Sequence, residues 1–316
     1  MNRILYLSRA EVERLLDVGA LLDALARALV SFSTGTTSVP PRMVARVLDR
    51  GLMGAMVGYV PGAGLEAKLV SVFPQNHQRG VPSHQALIAL FDEQDGTPLA
   101  LMDGTYITAI RTGGAAAVAA RALAREDAKV LAILGAGVQG GSHLETFPRV
   151  RAFAEIRVAS RDAGKAAALA ARHPRARVVT SFEAAVRGAD VVACCTDARE
   201  PVIRREWLKA GAHVSSVGGT FGPELDAETL ADGTIFVEWR GAATNPPPVG
   251  ACELQGFDVD HLTEVGEVLS GARPGRQFAH ELTVYKSTGH AVEDVAAARL
   301  VYDRARAEGA GIQLPL

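Results

Sequence analysis

Between Ser8 and Ser33 the apolar positions recur at helical spacing, with leucines at 15, 16, 22, 25 and 29, and Ser8 with Glu11 forms a capping-box pattern at the head of the stretch. One helix is predicted over 8–33. Val39-Pro40-Pro41 breaks the chain, and four extended segments rich in β-branched residues follow at 43–48, 52–60, 65–73 and 85–91. Their short Gly, Pro and Asp connectors predict an antiparallel sheet. A fifth strand, 98–102, follows the turn at 92–96, and an alanine-rich helix is expected over 105–124. The rhythm changes at Lys129. Apolar runs at 129–134, 155–160, 177–180, 190–195, 212–218 and 234–239 alternate with short helical stretches near Gln139, over 163–172 and over 182–187. Strands alternating with helices predict an α/β fold with a Rossmann-type doubly wound parallel sheet, beside a smaller α+β domain. The division expected is 1–115, joined by a C-terminal helix within 290–316, and 116–289 as the dinucleotide-binding domain. That last helix, 290–308, carries Val295, Leu300 and Val301 on one face and is expected to dock back on the first domain.

Composition narrows the classes. A chain of 316 residues suits about two domains. A formal net charge of -2 gives no support for binding nucleic acid or an anionic membrane surface. The cysteines are Cys194, Cys195 and Cys252; the adjacent pair lies in an apolar run and reads as small buried residues, not a disulfide or a metal site. No apolar run approaches the ~18 residues of a membrane span, and the charged N-terminus does not read as a signal peptide. A cytoplasmic protein is expected.

Gly135-Ala136-Gly137-Val138-Gln139-Gly140 fits G-x-G-x-x-G. The pattern is weak alone, but here it ends an apolar strand, opens a helix and begins a run of βα units. Gly135 permits the tight turn, Gly137 lets backbone approach a pyrophosphate, and Gly140 allows close helix–strand packing. The second strand ends at Ser160-Arg161-Asp162, with Lys165 one turn on. A hydroxyl and two cations suit a ribose 2′-phosphate, so NADP(H) is preferred, with NAD(H) possible. The competing reading makes Arg161 and Lys165 solvated charges. Asp162 reads as the cap of the next helix.

Several stretches resemble the ornithine cyclodeaminase/mu-crystallin family: Val81-Pro-Ser-His-Gln-Ala86; Met102-Asp-Gly with Ile107-Thr-Ala and Arg111-Thr112; the glycine turn; and Val284-Tyr-Lys-Ser287 through Ala291-Val-Glu-Asp294. The mu-crystallin, ketimine reductase-like branch is indicated by the segment 81–86, by Glu200-Pro201 with Glu206-Trp207, and by Gly211-Ala212-His213. The resemblance implies a homodimer whose first domain supplies the dimer sheet and the substrate pocket. It implies Arg42, Lys68, Ser83, His84 and Arg111 at the substrate, and Arg111, Thr112, Ala136, Val138, Gln139, Ser160, Arg161, Lys165, Thr196, Val217 and Ser287 at the cofactor. Convergent cations are what a small carboxylate-bearing imine or amino acid requires. Lys68 sits in an apolar strand where alternation puts it on the face of Glu66; otherwise it is an edge-strand charge or a partner of Glu66.

The cyclodeaminases of the family carry an aspartate where this chain has Val217-Gly-Gly-Thr220. A threonine is no useful base for cyclisation near neutrality, and loss of a positioned acid–base group costs on the order of 10²–10⁴ in rate. The resemblance therefore implies an NADPH-dependent oxidoreductase acting on a small imino or amino acid, with Lys68, Arg111 and Thr220 as catalytic candidates. The alternatives are an ornithine or lysine cyclodeaminase, and a ligand-binding protein with little turnover. Glu224 and Asp226 are read as the start of the next helix.

Overall fold

The computed structural model describes residues 3–219 and 222–316. In chain order the first elements are β1 (Arg3–Leu7), α1 (Arg9–Leu15), α2 (Val18–Ser33), β2 (Met43–Val47), β3 (Gly51–Val60), β4 (Gly64–Val72), β5 (His84–Phe91), β6 (Pro98–Asp103) and α3 (Gly104–Leu123). Then come β7 (Val130–Leu134), α4 (Val138–Thr146), β8 (Glu155–Ala159), α5 (Ala163–Ala170), β9 (Ala176–Val178), α6 (Phe182–Val186), β10 (Val191–Cys194), β11 (His213–Ser216), α7 (Ala227–Asp232) and β12 (Thr234–Val237). The chain ends with α8 (Gly241–Thr244), β13 (Thr263–Glu264), α9 (Val265–Leu269), β14 (Thr283–Lys286), α10 (Ala291–Glu308) and β15 (Ile312–Pro315). Two compact units emerge, Met1–Arg111 with His290–Leu316, and Thr112–Gly289.

The first unit is built on a sheet ordered β15-β1-β6-β5-β4-β3-β2. Neighbours from β2 to β6 are antiparallel, whereas β1 joins β6 in parallel. Strand alternation sends Leu52, Met56, Ile88 and Leu90 to a buried face. α10 lies on that face. A β-carbon placed on Gly58 would come within 3.1 Å of the Ala291 Cβ and 3.2 Å of Val295 Cγ2, so a glycine is what lets the helix approach β3. The predicted single helix over 8–33 is instead two. Asp17 is extended and its side chain accepts from the Ala20 amide at 2.8 Å, which ends one helix and caps another. The outer strands β1 and β15 had no sequence signal strong enough to be predicted.

The second unit is a sheet ordered β13-β12-β14-β11-β10-β7-β8-β9, and every pairing in it is parallel. Its central strands carry residues such as Leu131, Ile133, Val191, Val214 and Val284, all fully buried, as a sheet covered on both faces requires. β14 was not predicted as a strand, because Val284-Tyr-Lys286 is short and ends in a lysine. Asp162 caps α5 as expected, accepting from Lys165 N at 3.0 Å. No described helix is long and apolar enough to cross a membrane.

Candidate active site

In the first unit, chemistry gathers beneath α10. Lys68 is 1% exposed on β4, which is flanked by β3 and β5, so the edge-strand reading is wrong. Its partner is not Glu66 either: Nζ donates to Asp294 Oδ2 at 2.5 Å. Asp294 also accepts from Arg111 Nε at 2.8 Å, and Arg111 Nη1 donates to Glu293 Oε2 at 3.0 Å. α3 thus brings Arg111, β4 brings Lys68, and consecutive residues of α10 bring both carboxylates. The motif that ends Ala-Val-Glu-Asp holds its two acids at the first turn of a helix, where the macrodipole favours negative charge.

Burial changes the proton affinities. Desolvation lowers Lys68 to about 8, against the pull of Asp294 and with help from the positive charge of Arg111. Burial works against ionisation of Asp294, but Arg111 and then Lys68 hold its carboxyl below the usual range. Glu66, 1% exposed, goes the other way. Desolvation and then the Asp294 charge raise it well above an ordinary carboxyl, and neither of its oxygens has a hydrogen-bond partner among the described residues. Burial and the neighbouring Asp294 charge thus favour the neutral form of Glu66 beside a charged pair.

The remaining substrate candidates of this unit are spread along the sheet. Arg42 is half-buried and lies one residue before the register Met43↔Ala55↔Leu69, so it shares the row of Met56 and Lys68. Two strand spacings separate it from Lys68, about 10 Å at the backbone. His84 begins β5, opposite Val72. It keeps an exposed surface, yet desolvation of its inner side and then the Lys68 charge hold the ring below its ordinary value. The Ser83 hydroxyl donates to Pro74 O at 3.3 Å.

In the second unit the glycine turn has the form its sequence requires. Gly135 is left-handed at φ +104, and a β-carbon there would lie 2.4 Å from Cys195 O. One on Gly140 would lie 2.2 Å from Gly135 O, which is the close helix–strand contact expected. A β-carbon on Gly137 would meet nothing within 4 Å, and as the N-cap of α4 this residue offers no side-chain bond to the first amides of that helix. A cradle of bare amides that a side chain would fill fits a pyrophosphate. Val138 is 73% exposed beside it, too exposed for core packing. Thr112 is buried, Ala136 and Gln139 are half-buried, and Ser160 closes β8. Arg161 extends into solvent and pairs with Asp197 at 3.3 Å; Lys165 lies 3.7 Å from Asp162.

Thr196, Val217 and Ser287 follow β10, β11 and β14, which are neighbours in the sheet. Ser287 is buried, and its hydroxyl donates to Glu238 Oε1 at 2.5 Å. Thr220 lies outside the described residues. Glu224 does not start a helix as predicted; that role falls to Asp226 alone, while Glu224 is fully buried against Thr196, Ser216 and Gly218. Sequence reasoning gave Glu66 only the part of a possible Lys68 partner, and gave no role to Glu238, Glu253, Lys286, Glu293 or Asp294. The signal available was a charged residue inside an apolar run at 66, 238 and 286. The Cys194 and Cys195 thiols are pushed up by burial and then by the charge of Glu224, which leaves them unreactive. Among the described residues no group of His, Cys, Asp and Glu has a metal-ligand arrangement.

The chain is 40% identical over 307 residues to the ketimine reductase mu-crystallin of Rattus norvegicus, covering 94% of this chain and 96% of that protein. A Delta(1)-pyrroline-2-carboxylate reductase from Thermococcus litoralis, solved with NADH and L-proline, superposes with a TM-score of 0.93 at 33% identity, over 98% of this chain and 100% of that one. An archaeal alanine dehydrogenase, solved as a dimer with bound NAD, gives a TM-score of 0.90 at 31% identity over 99% of each chain. The family pattern matches residues 3–309, and the chain belongs to the ornithine cyclodeaminase/mu-crystallin family.

Proposed function

We propose that this protein is an NAD(P)-dependent reductase of small imino acids, able to run as an amino-acid dehydrogenase in reverse. The observation that carries the reading is the buried pair Lys68 and Arg111, held by Asp294 and Glu293, in a chain that also presents a bare-amide glycine turn. The relatives named above are a ketimine reductase, a pyrroline-2-carboxylate reductase and an alanine dehydrogenase; each name implies hydride exchange at a carbon bonded to nitrogen, and in the last two that carbon carries a carboxylate.

The nicotinamide ring, when bound, supplies or accepts that hydride. Gly135, Gly137 and the amides opening α4 would hold the pyrophosphate, and Thr196, Val217 and Ser287 would serve the nicotinamide end. Arg111 and Lys68 orient the substrate carboxylate by charge-assisted hydrogen bonds, with Arg42 as the outer cation. Both inner cations are already aligned by carboxylates, so little side-chain freedom is lost when the substrate arrives. Lys68, at about 8, holds a proton near neutrality yet can release it, which suits donation to the substrate nitrogen as the C=N bond is reduced. Ser83 and His84 line the substrate side. Ser160, Arg161 and Lys165 favour a 2′-phosphate, so NADP(H) is the preferred cofactor.

The outer face of the first sheet carries Met43, Met53, Val57, Leu65, Leu69 and Leu87, each at least 37% exposed. A contiguous apolar face of this kind suits burial against a second copy, and we assign it to a homodimer. Sedimentation of the wild type against Leu69→Glu tests that point, a monomeric wild type being the adverse result. The activity is tested by NADPH and NADH oxidation with pyrroline-2-carboxylate, piperideine-2-carboxylate, and pyruvate with ammonia or methylamine. Turnover on at least one imine is expected. Silence across the panel, or ammonia release from ornithine with catalytic NAD, overturns the reading.

A further inference from the structure

Glu224 is fully buried in the loop that follows β11, and no side chain of opposite charge is hydrogen-bonded to it among the bonds described. Four donors converge on it instead. Oε1 accepts from the Thr196 amide at 2.7 Å and the Thr196 hydroxyl at 2.6 Å. Oε2 accepts from the Ser216 hydroxyl at 2.7 Å and the Gly218 amide at 2.8 Å. Those four bonds use the whole acceptor capacity of a carboxylate. They tie the segment leaving β10 to the segment leaving β11.

Lys286 extends the link to the next strand. It is fully buried at the end of β14, and its Nζ donates to Ser216 Oγ and to Gly218 O, both at 2.8 Å. It also pairs with Glu253 Oε1 at 2.9 Å. Ser216 thus stands between the carboxylate and the ammonium. The backbone of the turn lies directly on this network. A β-carbon on Gly218 would sit 2.5 Å from Glu224 Cδ, and one on Gly219 would sit 2.5 Å from Glu253 Oε2 and 2.7 Å from Lys286 Nζ. Gly219 also needs its left-handed φ of +90. The two glycines are fitted to the charges beneath them.

A buried carboxylate is a costly way to satisfy two amides and two hydroxyls. An arrangement of this kind earns its place by rigidity: a single group with every acceptor site filled permits one loop geometry. β10, β11 and β14 are adjacent, and their carboxyl ends are where a doubly wound sheet receives a nucleotide. We propose that Glu224 is a positioning residue. It fixes the main chain at Thr196 and Gly218, with Lys286 as its counterpart on β14, so that the nicotinamide end of the cofactor meets a preformed surface. The inference rests on the dinucleotide reading for its purpose, but not for its first test.

That test uses the protein without nucleotide. In Glu224→Gln the amide nitrogen repels donors that the carboxylate accepted. Residue-resolved amide hydrogen exchange should then rise at least about tenfold at Thr196 and Gly218 and stay unchanged at Leu131 and Ile133 of β7. Unchanged exchange at Thr196 and Gly218, or an equal rise throughout the sheet, overturns the clamp. The second measurement separates binding from chemistry. Single-turnover hydride transfer in Glu224→Gln should fall at least about tenfold, while the Kd for NADPH changes less than about threefold, because the pyrophosphate is held elsewhere. Equal losses in both, or none in hydride transfer, refute positioning. If Glu224→Gln does not fold, Ser216→Ala removes only the bridging hydroxyl and should show the same pattern at smaller amplitude; its absence there is equally decisive. A wild type that binds NADPH but reduces no imine defeats the proposed activity and leaves the exchange result standing.

Discussion

Lys68 offers the sharpest quantitative test. Its ammonium is lowered from 10.5 to about 8, mostly by desolvation. At about 1.4 kcal/mol per pKa unit, the charged form is disfavoured by about 3 kcal/mol relative to water. The value refers to the free enzyme, so it should appear in kcat/KM. A group at 8 is about nine-tenths protonated at pH 7 and about one-tenth at pH 9. If the protonated form holds the carboxylate and gives up the proton, kcat/KM for imine reduction should fall about tenfold between those pH values. The imine itself titrates in this range, so the control is Lys68→Arg, whose charge persists beyond pH 12. That variant should be less active at every pH, since a guanidinium does not fit an ammonium site. Only the shape of its profile is read, and the limb near 8 should disappear. The assay is initial-rate NADPH oxidation with piperideine-2-carboxylate over pH 6–10. Identical limbs in both proteins would refute the assignment of this titration to Lys68.

Three further outcomes follow from the geometry. Gly135→Ala, at φ +104 with its β-carbon on Cys195 O, should lower Tm by several degrees, whereas Gly137→Ala, which meets nothing, should keep Tm and weaken NADPH at least about tenfold, read by calorimetry. Arg161→Ala should weaken NADPH by about tenfold, or about 1.4 kcal/mol, and leave NADH within a factor of about two, measured by fluorescence titration. His143 and His213 are lowered to about 4 and about 3, in both cases chiefly by burial, so the unfolded chain binds more protons than the folded one below pH 6.5. Stability should therefore be intact above pH 6.5, decline by several kcal/mol between pH 6.5 and about 3, and level off below, and His213→Gln should flatten that urea-unfolding profile across the same span.

The sequence made the regular parts of this molecule legible. Strands such as Val130–Leu134 and Val191–Cys194 announce themselves by apolar runs between helices, and the glycine turn by its spacing. Ser8–Ser33 was misjudged because helical periodicity continues through Leu15 and Leu16, and only the Asp17 side chain, turning back to an amide, separates two helices. The site was half legible. Lys68 stands out as a cation in an apolar strand and Arg111 only through the family resemblance, and Asp294 does not stand out, because an acid in the first turn of a helix is ordinary. That it faces Lys68 across 226 residues is a property of the packing. Glu224 was misread for the same reason, since Pro-Glu-Leu-Asp looks like a helix start and only the fold brings Thr196 to it.

β1 pairs with β15, Arg3 opposite Pro315, and the core of the first unit needs α10. During synthesis the ribosome therefore releases the first 111 residues long before their partners exist. Units of such high sequence separation fold slowly. The second unit, contiguous from Thr112 to Gly289, needs none of those partners, so a released fragment ending at residue 289 should already capture a dinucleotide while the first unit still lacks its last helix.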